Sequence, residues 1–282
     1  MDVRIQAEKA QRFRALHHGP GILALPNAWD VATARILEDA GYPAIATTSA
    51  GVAFALGYPD GQRISRDEML DVVGRIARAV RVPVTADMES GYGTTVEDMA
   101  ETAKALIAAR AVGMNLEDVT GDDERSHVEL RFQVEKIHAI RETAAALGVP
   151  LVLNARTDVY LMPIGEATTR FERTVERLRT YHQAGADCLF APGVSDRETI
   201  AKLVQTLKAP LNILITPDCP SLGELEGMGV RRASAGSAVM RATLGLVQRI
   251  GKEMLESRSS KTLFDGAIPY ADVNRMMGRK AP

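Results

Sequence analysis

The sequence is poor in the features that mark several large classes of protein. Its 282 residues include two cysteines, Cys188 and Cys219, which excludes a disulfide framework and a multi-cysteine zinc or iron–sulfur site. The net charge of −2 gives no general attraction to nucleic acid or to anionic lipid. No apolar run approaches the roughly 20 residues that span a bilayer. We therefore expect a cytoplasmic protein with no nucleic-acid or membrane partner.

The length of the chain allows either two domains or one closed α/β barrel, because such barrels run to about 250 residues. The composition, 46% hydrophobic and 25% charged, is that of an ordinary globular protein. No linker or low-complexity tract divides the chain. We predict one catalytic domain over residues 1–257, followed by a C-terminal oligomerisation segment of the same domain over residues 258–282.

A short apolar run recurs along the chain, preceded by Gly or Pro and followed by a stretch with helical character. Four of these stretches carry the spacing of a capping box, which satisfies the first N–H groups of a helix. The four predicted boxes start at Ser65, Thr94, Ser195 and Ser221. The eight predicted strands are Ile22–Leu25, Ala44–Thr48, Pro83–Asp87, Gly113–Glu117, Leu151–Arg156, Ala186–Phe190, Leu211–Thr216 and Arg232–Ala235.

Alternation of strands and helices requires parallel strands with helices outside them. Eight such units close a (β/α)8 barrel, the TIM-type fold. The competing architecture is an open doubly wound sheet, for which we would expect a G-x-G-x-x-G turn, and the sequence contains none. Residues after Arg258 include Phe264, Ile268 and Tyr270, which are too apolar for a free tail. We expect this segment to pack on another surface.

Polar residues collect at the carboxyl ends of three consecutive predicted strands, on the face that points into the barrel. This is the end at which barrel enzymes carry their chemistry. These inward positions are Thr85, Asp87 and Glu89 in the third run, Asn115 and Glu117 in the fourth, and Asn154 and Arg156 in the fifth.

Three carboxylates in one barrel mouth repel one another, so they must be protonated, paired with Arg156 or bound to a cation. An all-oxygen ligand set without histidine favours Mg²⁺ or Mn²⁺ over zinc. Because Mg²⁺ takes only one or two direct carboxylates, some of the three acids can act through water. The alternative is that these acids only cap the following helices and pair with Arg156.

The amino-acid sequence around these residues resembles the isocitrate lyase/phosphoenolpyruvate mutase superfamily, and the resemblance extends over nearly the whole chain. The resemblance implies a (β/α)8-type barrel, a Mg²⁺ ion and a small 2-oxo acid or its enolate as ligand. It also implies a homotetramer, or a homodimer, in which the C-terminal helix is swapped between subunits. The segments that carry it are 25–35, 46–51, 56–60, Ala86-Asp-Met-Glu-Ser-Gly-Tyr-Gly93, Asn115-Leu-Glu-Asp118 and Asn154-Ala-Arg-Thr-Asp158.

The resemblance also implies roles for individual residues. The metal residues are Asp87, which is similar to the direct ligand, Glu89, which replaces the usual Asp and reaches further, and Glu117. Asp60, Glu117 and Arg156 are the implied catalytic residues, with Arg156 clamping the substrate carboxylate. The implied substrate-binding residues are Thr48, Ser49, Ala50, Asp87 and Arg156.

One segment departs from the family pattern. Lyases of the superfamily carry a Lys-Lys/Arg-Cys-Gly-His motif after the fourth strand, whereas Val119–His127 has neither cysteine nor lysine and includes Asp122, Asp123 and Glu124. We therefore predict a Mg²⁺-dependent carbon–carbon lyase on a 2-oxo or 2-hydroxy di- or tricarboxylate, with decarboxylation ahead of aldol cleavage. The alternatives are a 2-methylisocitrate or isocitrate-type lyase that uses His127, a phosphonopyruvate hydrolase or phosphoenolpyruvate mutase, and a non-catalytic 2-oxo-acid-binding protein.

Overall fold

A computed structural model of the chain describes residues 2–119, 126–162 and 166–279. Within these ranges the nine strands are β1 (Leu23–Leu25), β2 (Asn27–Ala28), β3 (Ile45–Thr47), β4 (Val84–Asp87), β5 (Gly113–Leu116), β6 (Val152–Arg156), β7 (Cys188–Phe190), β8 (Leu211–Leu214) and β9 (Arg232–Ser234). The helices before β6 are α1 (Val3–Leu16), α2 (Val31–Asp39), α3 (Ser49–Leu56), α4 (Arg66–Ala79), α5 (Val96–Ala108) and α6 (Leu130–Ala146). Those after it are α7 (Arg170–Gln183), α8 (Arg197–Leu207), α9 (Leu222–Gly227), α10 (Ala238–Lys252), α11 (Lys261–Phe264) and α12 (Tyr270–Met277), with a 3₁₀ turn at Ala167–Thr169 and a π-helical turn at Glu253–Ser257.

The strands form one all-parallel sheet in the order β1-β9-β8-β7-β6-β5-β4-β3-β2. Its two ends, β1 and β2, are consecutive pieces of the first barrel strand, separated only by Pro26. β1 pairs with β9 and β2 pairs with β3, so the first strand closes the barrel. Proline has no N–H to donate to a sheet, which accounts for the break at this position. The predicted TIM-type (β/α)8 fold is confirmed.

Two of the four predicted capping boxes are confirmed, and two are wrong by one residue. Ser65 pairs with Glu68 and Ser221 with Glu224, as predicted. The capping box of α5 is formed by Thr95 and Asp98 instead of starting at Thr94. Asp98 is the third residue of the helix, and its carboxylate accepts from the backbone N–H of Thr95 as the acid of a capping box does. At α8 the helix is capped by Asp196 in place of Ser195, and the Asp196 carboxylate accepts from the N–H of Thr199 at 2.8 Å.

Helix α1 closes the amino-terminal end of the barrel. Phe13 is fully buried there, and a Cβ atom added to Gly113 at the start of β5 would come within 2.9 Å of its ring. The absence of a side chain at Gly113 is therefore what lets α1 dock. Gln6 fixes the helix further by donating to the carbonyls of Ile107 (2.9 Å) and Ala111 (3.0 Å). With this end filled by side chains, the opposite end of the barrel is the open one.

The last part of the chain is only loosely attached to the barrel. In α10 Met240 is the one buried residue, while Leu244 and Val247 are 46% and 61% exposed. Helix α12 lies against α2 of the same chain, where the Arg35 guanidinium donates to the carbonyl of Met276 at 2.9 Å. No helix among the described residues has the length and apolar character needed to cross a membrane.

Candidate active site

A cavity of about 560 Å³ opens at the carboxyl ends of the strands, which we call the strand-end cavity. It contains most of the residues that the sequence predicted. Predicted residues in its lining are Thr48, Ser49, Ala50, Asp60, Asp87, Asn115 and Arg156, and Thr216 and Pro217 lie at its edge. Lining residues for which the sequence suggested no role include Asn27, Phe190, Gly236 and Arg241.

Asp87 is the last residue of β4 and is 9% exposed at the floor of this cavity. One carboxylate oxygen, Oδ2, accepts from both the backbone N–H (3.2 Å) and the hydroxyl (2.9 Å) of Ser49. The other, Oδ1, is 3.4 Å from the side-chain amide of Asn115. The N–H and hydroxyl of Ser49, which the resemblance assigned to substrate, are thus directed at Asp87 in this state.

Asn115 and Asn154 form a buried polar layer beneath Asp87. The three residues are paired across β4, β5 and β6, so their side chains lie at one level of the inward face that the alternation of the sequence predicted. The amide of Asn154 donates to the side-chain oxygen of Asn115 at 2.8 Å, and Arg232 at the start of β9 donates to the same oxygen at 3.3 Å. This layer fixes the Asn115 amide beside Asp87.

Arg156 ends β6, and its guanidinium is held from two sides. Its Nε and Nη2 donate to Asp158 at 2.5 and 2.8 Å, while Nη1 donates to Glu117 at 2.5 Å. A guanidinium has five N–H groups, so these bonds leave one on each terminal nitrogen. Phe190 packs beneath, with its ring centroid 5.7 Å from the guanidinium carbon. Arg156 therefore still has two N–H groups with which to bind a carboxylate end-on.

The acids Glu117 and Glu89 stand beside the cavity, and neither is a lining residue. Burial raises the pKa of Glu117 well above its ordinary value, against the opposing effect of the Arg156 guanidinium. Burial, together with the charges of Asp87 and Asp60, raises the pKa of Glu89 to about 7. Glu89 adopts the left-handed φ of 49° in the turn after β4, and its Oε1 accepts from the phenol of Tyr92 at 2.9 Å.

The fit of a divalent cation follows from these contacts. Among the described residues no three His, Cys, Asp or Glu side chains are close enough to form one ligand cluster, so Asp87, Glu89 and Glu117 are not brought together as direct ligands. Glu117 is engaged by Arg156 and Glu89 by Tyr92, which leaves Asp87 as the one of the three predicted metal acids that lines the cavity. Mg²⁺ commonly binds one or two carboxylates and keeps several waters. The all-oxygen donor set fits such an ion on Asp87.

Thr48, Ala50 and Asp60 complete the predicted set. The Thr48 hydroxyl accepts from the N–H of Gly51 at 3.3 Å as the cap of α3, and its own proton is still available for donation. Ala50 is 7% exposed in the first turn of that helix. Asp60 lies on the exposed loop after α3 and reaches the cavity wall from above. All three of these predicted residues therefore line the strand-end cavity.

His127 lies elsewhere. It lines a second cavity, which shares no lining residue with the strand-end cavity. Its Nδ1 is 3.1 Å from Nη2 of Arg173, and burial lowers its pKa. The acidic residues Asp122, Asp123 and Glu124 of the same segment lie outside the described residues. The hypothesis that His127 serves as the acid of a lyase receives no support from this placement.

The sequence analysis did not identify Asn27, whose side chain joins the segment after β9 to the end of β3 at the open end of the barrel. Its side-chain oxygen accepts from the N–H groups of Ala235 and Gly236, both at 2.9 Å, and its amide donates to the carbonyl of Thr47 at 2.7 Å. The available signal was its place directly after the first apolar run. Arg241, near the start of α10, adds a second cation to the cavity. The sequence did not mark it as a site residue, because helices commonly carry exposed arginines.

Comparison with known proteins settles the family. The family model described as phosphoenolpyruvate phosphomutase matches residues 13–255. The chain belongs to this family. A crystal structure from Burkholderia cenocepacia J2315, described provisionally as a lyase/mutase, aligns with a TM-score of 0.91 and 39% identity over 99% of this chain and 98% of its own. The predicted membership of the isocitrate lyase/phosphoenolpyruvate mutase superfamily is confirmed.

Two named relatives are similar to this family member over most of their length. The 2-methylisocitrate lyase of Bacillus subtilis is 27% identical, with 95% of this chain and 91% of the relative covered. The oxaloacetate decarboxylase of Bradyrhizobium diazoefficiens is 26% identical, with 90% and 88% covered. Both are enzymes that cleave carbon–carbon bonds. The prediction that this chain is an enzyme of the lyase type agrees with these similarities.

Proposed function

We propose that this family member is a Mg²⁺-dependent carbon–carbon lyase that decarboxylates a small 2-oxo dicarboxylate of the oxaloacetate kind. The observation that carries the proposal is the separation of His127 from the strand-end cavity. The described residues therefore offer the cavity a carboxylate-binding arginine and a cation-binding acid, without a histidine or cysteine to protonate a departing carbon. Loss of CO₂ requires no such proton donor.

The binding step uses the two cationic side chains of the cavity. Arg156 presents two N–H groups to the carboxylate next to the 2-oxo group, and Asp158 and Glu117 prevent the guanidinium from rotating. The second carboxylate of the substrate lies toward Arg241 and the strand ends near Thr216. Asp60 and Asp87 balance the charges of these two arginines, so a divalent cation at Asp87 would give the cavity the net charge that a dicarboxylate matches better than a monocarboxylate does.

In the bond-breaking step the bond between C3 and C4 of the substrate opens and CO₂ leaves. The electron pair passes into the 2-oxo group, which becomes an enolate, and water then protonates C3. Asp87 would hold a divalent cation, which would provide Lewis-acid stabilisation of that developing negative charge. The Thr48 hydroxyl is placed to donate to the same oxygen, and the Ser49 donors hold the Asp87 carboxylate in one orientation.

The decarboxylase reading is tested by incubating the purified protein with oxaloacetate, 2-methylisocitrate and phosphonopyruvate, each with Mg²⁺ and with EDTA. We expect Mg²⁺-dependent release of pyruvate and CO₂ from oxaloacetate above the rate of Mg²⁺ alone. Faster release of pyruvate from 2-methylisocitrate would favour the lyase alternative, and release of phosphate would favour the phosphonate alternative. Binding of 2-oxo acids without turnover would favour a non-catalytic binding protein.

The oligomer forms part of the same proposal. We propose that α10 and the segment from Arg258 onward mediate assembly into a homodimer or homotetramer. In this assembly the terminal helix would be exchanged between subunits, so that α12 takes on a partner the place against α2 that it has here on its own chain. The exposed apolar side chains of this region support it: Leu244, Val247, Met254, Leu255, Phe264 and Tyr270 are 46%, 61%, 52%, 81%, 72% and 85% exposed. A contiguous exposed apolar surface is typical of a subunit interface.

A further inference from the structure

The second cavity is larger than the strand-end cavity, with a volume of about 850 Å³. It lies between the turn after β4, the segment that precedes α6, and α6 itself, and we call it the α6 cavity. Cavities of roughly 300–1,000 Å³ are the usual size of small-molecule sites. The lining residues that matter for the argument are Arg66, Tyr92, His127, Val128, Phe132 and Lys136.

Lys136 is the unusual member of this lining. Its side chain belongs to α6 and the residue is only 2% exposed, yet its amine forms no hydrogen bond with any residue that the structure describes. The Phe132 ring is its nearest recorded partner, with the centroid 5.8 Å from Nζ. Lys136 Nζ is not among the fully enclosed unpartnered atoms of the described residues, so it keeps access to the space of the cavity. Unused donors on an ammonium group in a largely buried side chain favour an acceptor that enters this space. The lining position of Lys136 makes the α6 cavity the place from which an acceptor can come.

The acids nearest to Lys136 are already engaged by other groups. Asp118 accepts from Arg177 at 3.0 Å, from the phenol of Tyr181 at 2.7 Å and from the N–H of Asp158 at 3.0 Å. Glu117 is bound by Arg156. Both acids attract the Lys136 ammonium through space, but their hydrogen-bonding positions face other partners.

A second donor of this cavity also has no partner. Because Arg173 can only donate, Nδ1 of His127 must accept, which places the imidazole proton on Nε2. That Nε2 is buried and forms no hydrogen bond within the described part of the chain. The guanidinium of Arg66 adds a cation across the cavity, where its closest recorded contact is a long one of 3.5 Å to the Thr102 hydroxyl.

The balance of charge and apolar surface selects the class of ligand. Among the described lining residues the two cations stand against one acid, Glu129, which gives a net charge of +1. The two further acids behind Lys136 are each engaged by an arginine of their own, so the lining matches a ligand with one negative charge. The remaining wall includes Tyr92, Val128 and Phe132, which suit an apolar body. We propose that the α6 cavity is a second ligand site that binds an organic monocarboxylate with an apolar body, its carboxylate bound by Lys136.

This proposal is independent of the reaction at the strand-end cavity. It is tested by calorimetric titration of the full-length protein with benzoate, with benzyl alcohol as the uncharged analogue and inorganic phosphate as the compact dianion. We expect saturable benzoate binding and much weaker binding of the other two. Lys136→Met keeps the length and apolar stem of the side chain but removes the charged donor. We therefore expect the dissociation constant for benzoate to rise at least about tenfold.

Two control variants locate the binding. Lys104→Met removes an exposed lysine of α5 that pairs with Glu101, and Arg156→Ala removes the carboxylate-binding group of the strand-end cavity. Neither should change the affinity for benzoate. If Lys136→Met does not fold, Arg66→Met serves instead, because it changes a half-buried side chain. This variant should lower the affinity for benzoate by a similar factor. Absence of saturable benzoate binding, tighter binding of phosphate, or loss of benzoate binding in Arg156→Ala would each overturn the proposal.

Discussion

The carboxylate of Asp158 holds the guanidinium of Arg156 through two hydrogen bonds, from Nε at 2.5 Å and from Nη2 at 2.8 Å. Asp158 is itself 1% exposed, and its own N–H is bound by Asp118. The orientation of Arg156 is therefore set by a buried network behind the strand-end cavity.

This geometry predicts the consequence of changing either partner. Arg156→Lys replaces a planar fork by a point charge, so we expect KM for the 2-oxo acid to rise about tenfold or more. Asp158→Asn keeps the shape but loses one acceptor, and a smaller rise in KM should follow. Steady-state kinetics of the two variants measures both effects. Unchanged KM values in both variants would show that Arg156 has a structural role only.

Asp87 is predicted to carry the dependence on metal. Asp87→Ala should lower kcat by at least about a hundredfold, because the stabilisation of the enolate is lost. The fold should persist, since a side chain at a strand end contributes chiefly to the site. The measurement is turnover with and without Mg²⁺, beside circular dichroism of the variant. Full activity of the wild type in EDTA, or of the variant, would contradict the metal hypothesis.

His127 is predicted to be dispensable for decarboxylation. Because it lines the α6 cavity rather than the strand-end cavity, His127→Ala should leave turnover of oxaloacetate within a few-fold of wild type. Further replacement of Asp122, Asp123 and Glu124 by alanine should alter KM and substrate preference while leaving measurable activity. Complete loss of turnover in His127→Ala, with Mg²⁺ and 2-oxo-acid binding intact, would establish an essential proton donor and favour the lyase alternative.

His17 is predicted to make folding sensitive to acid. Burial, together with the charge of Arg232, lowers its pKa to about 3, and its Nδ1–H donates to the Phe13 carbonyl at 2.9 Å. The unfolded chain takes up this proton near pH 6.5 and the folded chain only near pH 3. The stabilisation is therefore complete above about pH 6.5 and falls by about 1.4 kcal/mol per pH unit as the pH drops toward 3.

Urea unfolding of His17→Asn across this pH range measures that contribution. Asparagine keeps a donor for the Phe13 carbonyl but does not titrate. The slope of the unfolding free energy against pH should therefore decrease by an amount that corresponds to about one fewer proton taken up on unfolding. The exposed His138 provides the matched control, and His138→Asn should retain the wild-type slope. An equal slope in His17→Asn and wild type would show that His17 does not titrate as inferred.

The exposed apolar surface of α10 is predicted to be an interface. Light scattering coupled to size exclusion should give a dimer or tetramer for the wild type. The double change Leu244→Glu and Val247→Glu places two charges on this surface, so assembly should be lost or strongly weakened. Lys252→Glu, also on α10 but charged already, controls for added negative charge. A monomeric wild type would contradict the predicted oligomer.

The sequence by itself determined the barrel and the inward face on which its polar residues collect. Recurring apolar runs, Gly or Pro before them and helix caps after them are local features, so they can be located without knowledge of the fold. Alternation along each strand put Asp87, Asn115 and Asn154 on the inward face, and the register of β4, β5 and β6 then brought them to one level. The two misplaced helix caps differ by one residue because adjacent residues compete for the same N–H groups.

The tertiary structure decided which of these polar groups face each other and which face the cavity. Glu117 and Glu89 share the predicted inward face with Asp87, yet Arg156 and Tyr92 engage them, because distances across the barrel depend on loop conformation and strand tilt. The positive φ of Glu89 redirects its side chain, and strand alternation cannot anticipate it. The burial of Lys136 and the separation of His127 from Asp87 likewise arise from how α6 and the segment before it pack against the neighbouring helices α5 and α7. Such contacts join residues far apart in the chain, so only the folded structure determines them.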